Sequence, residues 1–113
     1  MNSLRNRVAL IGHLGTNPET KKFDNGNMVT NFSLATNDYY KNEKGEKIED
    51  TQWHNIVAYG KIADIASKFL EKGREVVLEG RLVNRHYNDK DGIKRHVTEI
   101  VLNELHMVGS NKK

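Results

Sequence analysis

Two segments of this 113-residue chain carry aromatic residues on one of the two faces that a β-strand would present. Side chains of a β-strand alternate between its two faces, so Trp53 and Tyr59 share one face with Asn55 and Val57. The opposite set is aliphatic enough to line a core, which leaves the aromatic face outward. On the second segment the shared face consists of Glu79, Arg81, Val83, Arg85 and Tyr87.

Aromatic rings with cations between them can bind nucleic acid. An aromatic ring can stack on any nucleobase, which contributes about 1–3 kcal/mol per base, and Arg or Lys neutralises phosphate. Tyr39 and Tyr40, at the start of the polar stretch 37–50, add two further rings. The pattern therefore favours a surface for single-stranded nucleic acid. The alternative is that Trp53 and Tyr59 cover a core or a contact between subunits, and spacing alone leaves both interpretations open.

No arrangement of residues in the sequence indicates catalysis. The five histidines include no HExxH motif and no i, i+4 pair on a helix, so a metal site would have to be assembled by the fold. Gly60-Lys61 lacks the preceding Gly and the following Ser or Thr of a phosphate-binding loop. The chain has no cysteine, which excludes disulfides, thiolate zinc sites and a cysteine nucleophile. We expect a binding protein without a cofactor rather than an enzyme.

The spacing of apolar residues predicts mainly β-structure. Strands are predicted at residues 7–14, 28–36, 51–59, 75–87 and 93–105, with a further short extended stretch at 20–23. The first of these is nearly continuous in apolar character, as in a strand buried on both faces. The charges of residues 41–50 nearly cancel, which predicts a solvated hairpin arm with reach and flexibility.

One helix is predicted between the third and fourth of these strands. Its apolar positions recur at i, i+3, i+4 and i+7, namely Ile62, Ile65, Ala66 and Phe69. Gly73 stands where the end of a helix favours a residue with positive φ. Five strands with a helix between the third and fourth are the order of the all-β OB-fold, a five-stranded Greek-key barrel. A generic α+β sandwich has the same order of elements and stays open here.

Length and composition indicate one soluble domain. A chain of 113 residues and 12.9 kDa buries one ordinary core. A mean hydropathy of −0.74, and no apolar run near the ~20 residues of a membrane span, predict a cytoplasmic protein without membrane contact. The net charge of +3 permits an anionic partner without requiring one. We expect a domain over residues 1–108 and a short disordered basic tail at 109–113.

Short motifs spread over the chain resemble the bacterial single-stranded DNA-binding protein (SSB) family. The resemblance covers about residues 3–108, and the combination of motifs is specific where no single motif is. The motifs are Asn6-Arg7-Val8, Gly12-His13-Leu14-Gly15 with Pro18-Glu19, Asn25-Gly26, Leu34-Ala35-Thr36, Trp53-His54, Tyr59-Gly60-Lys61, Ala63, Leu70-Glu71-Lys72-Gly73 and Glu79-Gly80-Arg81-Leu82.

The resemblance implies an OB-fold protomer that assembles into a homotetramer around which single-stranded DNA wraps. It also implies protection of that DNA in replication, recombination and repair, at the nucleoid. The family's stacking positions correspond to Tyr40, Trp53, Tyr59 and Tyr87, and its basic backbone-contacting positions to Arg7, Lys21, Lys61, Lys72 and Arg85. Arg81 is a further DNA-binding candidate, because it lies on the outward face predicted for residues 79–87. His54 resembles a residue near subunit contacts, although a core histidine is the stronger interpretation.

The sequence departs from the family pattern in three respects. Tyrosines replace the Trp or Phe of the family's best-known members at three stacking positions, which predicts weaker stacking per base. Asn55 and Val83 occupy positions that are often basic in the family. Family members usually carry a long tail with an acidic end that recruits replication and repair enzymes. This sequence ends at Lys113, so recruitment through such a tail is not expected.

Two other functions remain as alternatives to DNA binding. An SSB-like OB domain of the primosomal-adaptor type would present its main surface to another protein. Five aromatic residues argue against it, because such an adaptor has less need of rings on two neighbouring strands. A small enzyme is the other alternative, and the sequence contains no site for it.

Overall fold

The computed structural model describes residues 5–108, in which the elements follow the predicted order, and the short extended stretch predicted at 20–23 is a strand at Glu19–Lys22. The elements are β1 (Val8–Leu14), β2 (Glu19–Lys22), β3 (Met28–Lys41), β4 (Lys47–Tyr59), α1 (Gly60–Phe69), β5 (Glu75–Asn88) and β6 (Lys94–Met107). No helix within residues 5–108 is long and apolar enough to cross a membrane. The predicted tail at 109–113 lies outside the described residues.

Five of the strands close into a barrel. They follow the order β1-β5-β6-β4-β3, and β1 also pairs with β3, while β2 extends the sheet beyond β3. The β4–β6 pairing is parallel, and the other pairings are antiparallel. A closed five-stranded sheet with a helix between its third and fourth barrel strands is the OB-fold. The sequence prediction of this fold is confirmed, and closure of the sheet excludes an open α+β sandwich.

The core fills the barrel and continues beneath α1. Its fully buried side chains include Leu34, Ile56, Val76 and Leu78. The helix contributes Ala63 and Ala66, whereas the predicted core residues Ile65 and Phe69 stay exposed. Small side chains let the helix backbone approach the barrel closely, so the buried stripe is narrower than the apolar spacing suggested. Gly73 has the predicted positive φ, at +91°, but it lies in the turn that follows the helix: α1 ends at Phe69, and its C-cap Leu70 is extended.

Two glycines allow the strands to approach closely where the barrel closes. A Cβ on Gly12 of β1 would clash with the carbonyl oxygen of Ala35 on β3. A Cβ on Gly80 would clash with the carbonyl oxygen of Val101, beside a bulge in the β5–β6 register. Glycine within a strand often marks such a close backbone approach.

The expectation that both faces of the first strand are buried was wrong for this chain. Burial alternates along β1: Leu14 is buried, whereas Ala9, Ile11 and His13 are exposed. Ile11 leaves 62% of its surface accessible. A strand of a barrel faces the core on one side only. The outward apolar residues of β1 are therefore uncovered in the single chain.

The polar stretch 37–50, part of which was predicted as a solvated hairpin arm, is mostly a two-stranded ribbon. β3 continues to Lys41 and β4 begins at Lys47, with no break in their pairing. Thr51 Oγ1 donates a hydrogen bond to Asn37 Oδ1 at 2.7 Å, and the Lys47 ammonium lies 4.5 Å from the Tyr39 ring centroid. The predicted strand boundaries were too short, because mostly polar cross-strand pairs, together with Tyr40 opposite Ile48, continue the ribbon beyond the apolar residues of the barrel.

Candidate nucleic-acid interface

The outward residues of β4, β6 and β5 form one continuous surface, which we call the strand face. It comprises Trp53, Asn55, Val57 and Tyr59 of β4, Val97, Glu99 and Val101 of β6, and Arg81, Val83, Arg85 and Tyr87 of β5. The register places Asn55 beside Glu99, and Glu99 opposite Val83. The predicted outward positions are exposed at Trp53, Asn55 and Tyr59 of β4 and at Arg81, Arg85 and Tyr87 of β5, whereas Val57 and Glu79 are buried.

Trp53 lies on the strand face with 63% of its surface exposed. Trp53 pairs with Ala35 of β3, and one edge of the indole lies against Gly15 in the connection after β1. Because a Cβ on Gly15 would clash with the indole, glycine there leaves room for the ring. This placement excludes the alternative that Trp53 covers the core of its own chain, and leaves most of the ring accessible.

Tyr59 and Tyr87 flank Arg85 on the same face. Tyr59 is 53% exposed and Tyr87 is 50% exposed. A groove runs beside Tyr59 and Arg85, and it is lined by Lys21, Phe23, Val29, Asn31, Val57, Tyr59, Arg85 and Glu99. Val57 forms part of its wall and is buried, although alternation places it on the outward side of β4. This groove, here called the Arg85 groove, brings together rings and cations that are far apart in sequence.

Arg85 is held by a carboxylate that sequence reasoning did not identify. Its guanidinium donates to both oxygens of Glu99, from Nε to Oε1 at 3.0 Å and from Nη2 to Oε2 at 2.7 Å. The Glu99 carboxylate raises the pKa of Arg85, and the nearby Tyr59 and Tyr87 raise it further. Arg85 therefore keeps its full charge, but any phosphate must compete with Glu99 for its donors.

Arg7 is also held in an ion pair. Its Nη2 lies 2.9 Å from Oε1 of Glu79. Glu79, which the alternation placed on the outward face with the arginines, is nevertheless buried. A buried carboxylate needs a partner, so the pair has a structural role in addition to the predicted contact with DNA.

The remaining predicted cations are exposed, but they do not form one cluster. Lys21 lines the Arg85 groove, and Arg81 lies on the strand face opposite Val101. Lys61 is in the first turn of α1, and Lys72 lies in the turn between α1 and β5. The cations are thus distributed over several elements of the barrel rather than gathered in one patch.

Tyr40 is the predicted stacking residue that the fold separates from the others. Along the β3–β4 ribbon Tyr40 pairs with Ile48, and alternation puts it on the face opposite Trp53. Tyr39 shares the face of Trp53, but Lys47 covers one side of its ring. Both tyrosines are more than half exposed. The ribbon therefore offers rings on both of its faces.

A second groove on the strand face is lined by polar and acidic groups. It includes Glu19, Ser33, Asn55 and Glu99. These amide, hydroxyl and carboxylate groups can hydrogen-bond to base edges, whereas the carboxylates repel phosphate. Asn55 lies in this groove beside Glu99 of β6.

Phe23 was missed by sequence reasoning. It is 51% exposed, lines the Arg85 groove and lies next to the turn at Asn25-Gly26. An aromatic residue directly before a strong turn signal was the available indication. Phe23 and Tyr59 line the same groove because β2 pairs with β3 and β3 pairs with β4. No local sequence pattern shows these pairings.

Comparison with known proteins places this barrel among established relatives. The model of the single-strand binding protein family matches residues 5–108. The chain is 49% identical over 106 residues to single-stranded DNA-binding protein 1 of Chlorobaculum tepidum, covering 93% of this chain and 65% of that protein. It is 46% identical over 108 residues to the single-stranded DNA-binding protein of Neisseria meningitidis, covering 96% of this chain and 62% of that protein. The chain thus spans less than two thirds of the length of these relatives.

Solved structures of similar shape agree with the sequence relatives. The Plasmodium falciparum SSB in complex with ssDNA superposes with a TM-score of 0.86 at 35% identity, covering 96% of this chain and 98% of that one. A deletion mutant of the single-stranded DNA binding protein from Thermus aquaticus superposes with a TM-score of 0.80 at 28% identity, covering 94% of this chain and 51% of that one. With a family match over nearly its whole length and the barrel described above, this chain belongs to the single-strand binding protein family.

Proposed function

We propose that this protein binds single-stranded DNA without sequence preference, by stacking bases on the strand face and pairing phosphates with the cations around it. One observation carries the proposal: Trp53, Tyr59 and Tyr87 each expose half or more of their surface on one continuous face, on which Tyr59 and Arg85 line the same groove. Large exposed apolar patches rimmed by polar residues mark interaction sites on protein surfaces. The relatives named as single-stranded DNA-binding proteins support DNA as that partner.

The two grooves suggest how the strand is oriented. Bases lie over the polar groups near Asn55 and Glu99, while the backbone follows Lys21, Arg81 and Arg85. Stacking tolerates every base because every base has a π-face, so this orientation gives affinity without sequence readout. Arg7, Lys61, Lys72 and Tyr40 extend the proposed path beyond the strand face.

A titration with fluorescently labelled oligo-dT, followed by anisotropy, tests the proposal. The wild-type protein should bind the single strand and not the matched duplex. Trp53→Ala should raise Kd by about 5- to 150-fold, the equivalent of ~1–3 kcal/mol of lost stacking. Phe69→Ala is the matched control, because Phe69 is a similarly exposed ring on α1, away from the strand face. Equal binding of duplex, or equal effects of the two variants, would contradict the proposal.

We propose further that the functional unit is a homotetramer. The uncovered outward face of β1, with Ile11 at its centre, supports a contact between chains. Sedimentation of the wild-type protein should give the mass of four chains, and Ile11→Lys should lower it. If Trp53→Ala lowers the mass as well, Trp53 belongs to a subunit contact and its loss of affinity does not report stacking.

The biological role that follows is protection of exposed single strands during replication, recombination and repair, in the cytoplasm at the nucleoid. We propose a non-catalytic domain over residues 1–108. Recruitment of other enzymes through a C-terminal tail forms no part of the proposal.

A further inference from the structure

Two histidines face each other across the β5–β6 hairpin, on the side opposite Arg85 and Tyr87. His86 pairs directly with His96 in the antiparallel register. The imidazole centroids lie 4.3 Å apart, and the ring planes are inclined by 79°. Both side chains are exposed. Neither belongs to the strand face or to either of its grooves.

The separation of the rings is close to that of a two-imidazole chelate. Metal–nitrogen bonds of about 2.0–2.1 Å place the centroids of two rings on one ion at roughly 4.5–5 Å. The observed 4.3 Å therefore requires an adjustment below 1 Å. Rotation about χ2 of histidine has broad minima, so both rings can direct a nitrogen at one ion without backbone movement. Imidazole is a preferred ligand of Ni²⁺, Cu²⁺ and Zn²⁺.

The surroundings define what kind of site this is. On one side of the pair, Thr98 Oγ1 donates to Asn84 Oδ1 at 2.8 Å, so these polar groups are already engaged. On the other side lies the pair of Asn88 and Lys94. No group of three or more His, Asp or Glu among residues 5–108 is placed to hold a metal ion. Water would fill the other coordination positions, and the nearby Lys94 ammonium limits the affinity.

We propose that His86 and His96 form a two-histidine binding site for a divalent transition metal, Ni²⁺, Cu²⁺ or Zn²⁺. The bound ion joins β5 to β6 in the part of the hairpin that extends from the barrel. It thereby restrains the strand whose other face carries Tyr87. Hard ions such as Mg²⁺ do not bind to this site, because they prefer oxygen donors.

Calorimetric titration of the whole chain with NiCl2 at neutral pH tests the proposal. The wild-type protein should bind one ion per chain at this site. His86→Asn and His96→Asn should each weaken binding by about 100-fold or more, since either change reduces two-point attachment to one. His106→Asn is the matched control: His106 is also exposed on β6, but it pairs with Val77. It should bind Ni²⁺ as the wild type does.

A second measurement identifies the ligands without relying on variants. In the wild-type protein, Zn²⁺ should shift the ring resonances of His86 and His96 together in NMR spectra, and MgCl2 should not. Retention of wild-type Ni²⁺ affinity by both Asn variants would overturn the proposal. So would absence of the paired shifts, or an equal loss of affinity in His106→Asn.

Discussion

Glu99→Gln should make DNA binding stronger at low salt and more sensitive to salt. In the wild-type protein, Glu99 accepts two hydrogen bonds from Arg85, at 2.7 and 3.0 Å. The amide keeps the shape and one acceptor oxygen, but removes the negative charge with which a phosphate must compete. Arg85, whose side chain is more than half exposed, is then free to neutralise a phosphate of the proposed DNA strand.

The size of the effect follows from counterion release. Each neutralised phosphate of a single strand contributes about −0.7 to the slope of log K against log salt concentration. One additional contact therefore steepens the slope by up to about 0.7 per chain. Between 50 and 200 mM salt, the variant should lose about 2.6-fold more affinity than the wild type.

The assay is anisotropy of labelled oligo-dT at several salt concentrations, with thermal melting as a check of folding. Asp64→Asn is the matched control, because Asp64 is also an ion-paired carboxylate, bonded to Lys68 at 3.2 Å on α1. It changes net charge equally but leaves Arg85 untouched. The reasoning is refuted if Glu99→Gln leaves the slope unchanged, if both variants steepen it equally, or if Glu99→Gln weakens binding at low salt. The last result would mean that Glu99 positions Arg85 rather than competing for it.

Three further predictions concern stacking, barrel closure and acid stability. Tyr87→Ala should raise the Kd for oligo-dT by about 5- to 150-fold through lost stacking, measured by anisotropy, without changing the sedimenting mass. Gly12→Ala should lower the free energy of unfolding by about 1–3 kcal/mol in urea denaturation, because the added Cβ meets the carbonyl oxygen of Ala35. Unchanged stability would show that β1 and β3 move apart to accommodate the methyl group. The hydrogen bond from Arg95, with the backbone N–H groups of residues 91 and 93, lowers the pKa of Asp89. Because the pKa of Asp89 is lower in the folded state, the ionised carboxylate stabilises the fold fully at pH values above the unfolded pKa of about 3.9. This stabilisation is lost as the pH falls through the folded pKa. NMR titration of Asp89 should therefore give a pKa that rises in Arg95→Gln, and an unchanged pKa would remove Arg95 as the cause.

The fold was largely predictable because its elements have strong local signals. Alternation at Trp53, Asn55 and Tyr59 predicted which side chains point outward, and the structure confirms it. The β3–β4 ribbon was not predictable in the same way. Most of its cross-strand pairs are polar, so the sequence of residues 37–50 has the composition of a loop and lacks the apolar period that marks a strand.

The candidate site was predictable as a set of residues but not as an arrangement. Aromatic and basic types at alternating positions indicated Tyr59, Arg85 and Tyr87. Whether those cations were free could not be predicted, because Glu99 is 14 residues from Arg85 and meets it diagonally across β5 and β6. Sequence separation of that size carries no information about contact until the register is known.

The sequence by itself determined the alternation of faces, the order of elements and the supply of rings and cations. These depend on residue types and on spacing of two or four positions, which the backbone converts directly into geometry. The tertiary structure alone decided which of these groups meet. It placed Tyr40 on the opposite face from Trp53, paired Arg85 with Glu99 and Arg7 with Glu79, and set His86 against His96. The physical reason is that barrel closure and strand register, rather than local spacing, bring distant side chains within bonding distance.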